Sequence, residues 1–108
     1  MAVATVDQEG NPHCIAAAFV KVVSVNQVLI TNNYMNITPR NIETNHKITL
    51  AVWNSDWRNN CIGYEFIGTA EYFISGKWFD LVKKLKENED RLIKGAVLIT
   101  IENAKLLA

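Results

Sequence analysis

Six short runs rich in Val, Ile, Leu, Thr and aromatic residues, cut apart by clusters of Asp, Asn, Gly and Ser, occupy most of this chain. No other feature constrains its fold as tightly. Runs of that length between turn residues read as β-strands. The first, at 3–6, ends in Asp7-Gln8-Glu9-Gly10-Asn11, where Gly10 can take the positive φ of a hairpin turn. Pro12 restarts the chain into 13–23, which reads as one long, mostly apolar strand buried on both faces. The polar turn Ser24-Val25-Asn26-Gln27 sends it back as 28–32. Strands are expected next at 47–54 and 62–74, the second with Gly63 and Gly68 where it must bend or bulge. The last is at 96–102, with an apolar tail at 104–107. Strands in series without a helix between each pair lack the βαβ rhythm of a parallel sheet. They point to a mainly β chain of six strands in a closed or half-closed antiparallel barrel, with one or two short helices.

The period changes twice. Trp78, Phe79, Val82 and Leu85 recur at helical spacing, with Lys83, Lys84, Lys86 and Glu87 on the opposite side, so an amphipathic helix is expected over 77–88. A shorter helix is expected over 39–44. Thr38 would cap its free N–H groups, Pro39 would take the first helical position, and Asn45 would stop it in a left-handed conformation. The polar loop before it, with Asn33 and Asn36, interrupts the strands.

With 108 residues the chain reads as one domain, 1–108, large enough to fold without staples. Lys plus Arg and Asp plus Glu number 11 each, a balance that speaks against nucleic-acid binding. The apolar runs are too short to span a bilayer as helices, and no charged segment followed by an apolar one marks a secretory leader. Cys14 and Cys61 stand far apart without a CxxC partner, which suits free thiols in a reducing cytoplasm. His13 and His46 lie on different elements with no Cys, Asp or Glu at ligand spacing, so no metal site is expected. There is no nucleophile elbow, no GxGxxG, no P-loop and no sign of a paired-carboxylate cleft. No catalytic residue is assigned, and any chemistry would belong to a borrowed reactive group.

What the chain does offer is a helix start. The beginning of a helix presents backbone N–H donors and a positive dipole end, both suited to phosphate. From local pattern alone, a capped connector helix that binds nothing is the favoured reading.

Three stretches, ATVDQEGNPHCIAAAF, NQVLITNNYMNITPRNIETNHKITLAVW and GYEFIGTAEYF, together resemble the FMN-binding split-barrel family related to pyridoxamine 5′-phosphate oxidase. The likeness lies in an A-T-x-D-x-x-G-x-P-H hairpin, a strand ending in Thr31 before an Asn-rich loop, then T-x-x-N-I-x-x-N, and a later strand with Ile67-Gly68-Thr69-Ala70. It covers roughly residues 2–102 and is nearest to the family's small stand-alone FMN-binding proteins. The resemblance implies a split β-barrel that holds FMN non-covalently at a homodimer interface. By position, the phosphate would meet Asn36, Thr38 and Asn41, with Met35 and Ile37 beside it. The isoalloxazine would lie along Ile30, Thr31, Asn32 and Asn33 and against Ala17, Ala18 and Phe19. Arg40, Trp57, Arg58 and Leu107 are weaker expected contacts, the last three from the partner subunit.

Two departures matter. Family members often carry Lys or Arg just before the Thr of this motif, where it pairs with the phosphate; here that position is Ile37. An arginine-containing C-terminal segment that grips pyridoxal phosphate in the oxidase has no counterpart before Ala108, so pyridoxamine oxidation is not expected. The expected function is a cytoplasmic FMN flavoprotein in electron transfer or a small flavin-dependent oxidoreductase, with a nicotinamide nucleotide or a protein as electron partner. The alternative is a non-catalytic FMN carrier or a regulatory dimer with a degenerate site.

Overall fold

The computed structural model of the chain describes residues 1–107. Seven strands and two helices follow in the order β1 (Ala2–Val6), β2 (Pro12–Ala16), β3 (Lys21–Ser24), β4 (Gln27–Asn32), α1 (Ile37–Thr44), β5 (Lys47–Trp53), β6 (Gly63–Phe73), α2 (Lys77–Lys84) and β7 (Gly95–Leu106), with a single 3₁₀ turn at Lys86–Asn88. The strands form one antiparallel sheet in the order β2-β1-β5-β6-β7-β4-β3. This is the split barrel, with one strand more than expected.

The extra strand comes from the 13–23 run. It breaks at residues 17–20 into β2 and β3, the two edges of the sheet, and most of its side chains are exposed or half-buried. An apolar composition suggests burial but does not say whether a strand is central or at an edge, and here the edge wins. The strands covered on both faces are β4 and β7. Val28, Ile30, Val97 and Ile99 face the barrel interior with Val3, Ile42, Ile48 and Leu50. The alternate residues Leu29, Ala96 and Leu98 face outward into a second cluster closed by Val82 of α2. That alternation follows from the two-residue side-chain period of a strand.

Local chemistry sets the remaining joints. Gly10 sits at φ 87° in the first hairpin. The Asp7 carboxylate accepts the N–H groups of Asn11 (2.9 Å) and Glu9 (2.8 Å), and these bonds, led by Asn11, hold its carboxyl below the usual range. At Gly68 the β6–β7 register shifts, and a Cβ there would collide with the carbonyl of Thr100. β7 continues to Leu106, so the expected apolar tail is the end of a strand paired to the start of β6. The helix expected over 77–88 ends at Lys84, because Leu85 is extended (φ −65°, ψ 136°) before the 3₁₀ turn. Among the described residues no helix is long and apolar enough to cross a membrane.

Candidate functional site

The break between β2 and β3 opens the barrel, and the opening is a cavity of about 330 Å³. One wall is the end of β2 with the link that follows, including Ala17, Ala18 and Phe19. The opposite wall is Ile30 and Thr31 of β4 with Asn33, Tyr34 and Met35 of the polar loop. The third is Glu87 and Asn88 of the 3₁₀ turn, with Arg91. The β3 ladder ends at Leu29, so Ile30 and Thr31, which line the cavity, have no strand paired on that side. The small side chains of Ala17 and Ala18 leave room there, while Phe19, 57% exposed, offers a free aromatic face. Small concave sites of this kind, mostly apolar with a few polar groups, suit flat organic ligands.

The asparagines of the loop are structural. Asn32 is fully buried; its Oδ1 accepts the N–H of Met35 (2.7 Å), and its Nδ2 donates to the Met35 carbonyl (3.1 Å) and the Tyr72 hydroxyl (2.8 Å). Asn33 Nδ2 donates to the carbonyl of Leu92 (2.7 Å), tying the loop to the segment before β7. Asn88, missed in the sequence, is buried and donates through Nδ2 to Thr31 Oγ1 (2.9 Å) and the Val82 carbonyl (2.8 Å). The side chains of Asn32 and Thr31 are therefore engaged, and of the two only Thr31 lines the cavity.

The helix start differs from expectation. α1 begins at Ile37 with Asn36 as its flanking residue, and Asn36 makes no side-chain capping bond. Thr38 is the second helical residue rather than the cap, and Pro39 the third; a first-turn N–H has no intrahelical acceptor, so proline fits two positions later than expected. At the other end Asn45 is extended (φ −142°, ψ 109°) rather than left-handed. Thr38 is 1% exposed and its Oγ1 has no hydrogen-bond partner. Asn41 is also buried, and its Nδ2 donates to Thr5 Oγ1 (3.1 Å), fastening α1 to β1. Asn36, Ile37 and Arg40 are exposed.

Lys94 stands at this helix start. Its Nζ donates to the Met35 carbonyl (2.9 Å) and to Asn36 Oδ1, and its own N–H donates to the Asn32 carbonyl (2.7 Å). No local pattern marks Lys94, because the contact joins residues 59 apart in the chain. Glu87 and Arg91 are likewise brought in only by the fold.

The structure thus gathers Ala17, Ala18, Phe19, Ile30, Thr31, Asn33 and Met35 around one cavity. Asn36, Ile37, Thr38 and Arg40 lie on the adjoining helix start and its first turns. Trp57 is half-buried and Arg58 exposed in the loop between β5 and β6, and Leu107 bonds back to Gly63 at the far end of β7. None of these three lines the cavity of its own chain.

A family model described as pyridoxamine 5′-phosphate oxidase matches residues 1–106. A protein of Methanocaldococcus jannaschii described as uncharacterized, MJ0282, is 33% identical over 103 residues, covering 92% of this chain. The chain spans 66% of that relative's length. The crystal structure of HupZ from Group A Streptococcus superposes with a TM-score of 0.87 at 29% identity, over 98% of this chain and 82% of that one. An FMN-binding protein from Syntrophomonas wolfei gives a TM-score of 0.81 at 13% identity, over 99% and 76%. The heme storage protein HutZ of Vibrio cholerae gives 0.72 at 14% identity, over 97% and 83%. The last two likenesses speak for the fold alone.

Proposed function

The chain belongs to the pyridoxamine 5′-phosphate oxidase family, and on that footing we propose that it is an FMN-binding flavoprotein acting in electron transfer or as a small flavin-dependent oxidoreductase. One observation carries the reading: the split of the barrel brings Ala17, Ala18 and Phe19 opposite Ile30 and Thr31, which have no strand paired on that side. Those residues would hold the ring, with backbone groups of β4 serving its polar edge. The α1 start, with an orphaned Thr38 hydroxyl and no acidic residue in its first turn, suits the phosphate end. Asn41 is occupied with Thr5 and would support that turn without touching the ligand. Bound FMN would supply the redox chemistry, and the chain would bind, orient and shield it.

The flavin would lie at a homodimer interface. Val52, Tyr64 and Leu106 are register partners across β5, β6 and β7, and all three are exposed, a row of apolar side chains suited to a second copy. Trp57, Arg58 and Leu107 lie away from their own cavity, so their place in the reading is against the partner's.

The cavity lining carries no His or Cys, but its Tyr34 and Met35 are residue types that hold haem iron in other proteins, so haem is the rival ligand. Titration of the purified protein with FMN and, in parallel, with haem is the direct test. A yellow complex that releases FMN on denaturation is the expected result; a colourless protein that ignores FMN removes the proposal. Stopped-flow mixing of the loaded protein with NADH or NADPH then separates an oxidoreductase, which is reduced within seconds, from a carrier or regulatory dimer, which is not. Ile37 in the place of a cation is the feature that favours the carrier.

A further inference from the structure

We propose that Lys94 supplies the cation that position 37 lacks, pairing from the far end of the chain with the terminal phosphate of the bound ligand. The ligand's identity rests on the flavin reading above; the anion site itself does not.

Lys94 is placed by its backbone bond to Asn32, and its ammonium reaches only neutral acceptors, the Met35 carbonyl and the Asn36 amide oxygen. Among the described residues the salt bridges are Lys83–Asp80 and Lys105–Glu65, and neither includes Lys94. An ammonium at the N-terminus of a helix puts two positive potentials together. The first turn of α1 contains no acidic residue, and its free N–H groups receive no side-chain cap.

A separate observation points to the same missing group. Thr38 is 1% exposed and its hydroxyl has no partner, a costly arrangement for a buried donor. A helical Cβ tilts toward the helix N-terminus, and a helical Thr has two accessible χ1 wells, so this hydroxyl belongs to the same end as Lys94. An ammonium with neutral acceptors only, bare N–H groups and an orphan hydroxyl are three kinds of donor that an anion would satisfy. A phosphomonoester dianion offers three oxygens and the opposite charge.

The site also adjoins the cavity. Met35, whose carbonyl holds Lys94, is part of the cavity wall. A ligand with its ring in the split and a phosphorylated tail would therefore end at Lys94.

Riboflavin, which lacks the phosphate, makes the test specific. FMN and riboflavin are titrated into the wild-type chain, Lys94→Met and Lys94→Arg, with flavin fluorescence as readout. Lys94→Met should lower FMN affinity by about ten- to a hundredfold while riboflavin affinity stays put, and Lys94→Arg should restore most of it. Equal losses for both flavins would assign Lys94 a structural role and overturn the proposal, as would no loss of FMN. Should the wild-type chain bind neither flavin, the flavin reading fails, and inorganic phosphate followed by amide chemical shifts decides the anion site. Shifts at Ile37 and Thr38 in the wild type and not in Lys94→Met support it; their absence overturns it.

Discussion

The two helices have the same length, eight residues, and opposite construction. In α2, Asp80 lies in the first turn and Lys83 and Lys84 in the last, charges that complement the helix dipole, with only Lys77 at the first position opposing it. Its buried face is apolar: Val82 is fully covered and packs with Leu29, Ala96 and Leu98 under Trp78, Phe79 and Leu81. In α1 neither end is complemented, the buried face includes Thr38 and Asn41, and a lysine ammonium stands where an acid would be favourable. α2 is built as a folding element that covers the outer face of β4 and β7. α1 gives up local stability at its start, beside a cavity, and that is where a ligand anion would be stabilising.

The contrast can be broken in three places, from the largest effect to the smallest. Leu29→Ala removes the β4 side chain beneath α2 and should cost about 2–5 kcal/mol in urea unfolding; a loss well under 1 kcal/mol would mean that α2 is not held by that cluster. Thr38→Val replaces the orphan hydroxyl with a methyl group. It should leave stability unchanged or raise it by up to about 1 kcal/mol while weakening FMN binding. A clear drop in the unfolding midpoint would show that the hydroxyl is already satisfied in the folded chain and is not awaiting a ligand.

The third place is a matched pair of substitutions. Asn36→Asp puts an acid beside Lys94 at the start of α1, and Asp80→Asn removes one from the start of α2. The first should stabilise and the second destabilise, each by about 0.3–1 kcal/mol at low salt, read as opposite shifts in thermal midpoint. Asn36→Asp should at the same time lower FMN affinity, because a carboxylate then competes with the phosphate. Shifts of the same sign would remove the electrostatic difference between the two helices.

Much of the barrel was legible from local pattern. The run at 47–54 became β5 (Lys47–Trp53), that at 62–74 became β6 (Gly63–Phe73), and the bulge fell at Gly68. The 13–23 run misled because an apolar stretch reads the same at a sheet edge as at its centre. The strands covered on both faces, β4 and β7, were the ones recognised only as ordinary strands. At the helix start Thr38-Pro39 indicated that a helix begins but not on which residue, since proline is tolerated at any position of the first turn. In the candidate site, the walls from Ala17, Ala18, Phe19, Ile30 and Thr31 came from the family likeness. The third wall, with Asn88 and Arg91, carried no signal, because a helix was expected to run on through Asn88.

By itself the sequence determined the mainly β architecture, the hairpin at Gly10, the amphipathic face of α2 and the presence of a short helix after a polar loop. All of these depend on side-chain periods and turn chemistry within a few residues. Only the tertiary structure decided that β2 and β3 part to leave a cavity, that Asn32 and Asn33 are consumed in holding the loop, and that Lys94 stands at the start of α1. Those outcomes depend on which strands pair. Pairing β4 with β7, Asn32 against Gly95, is what carries Lys94 to Met35 and Asn36.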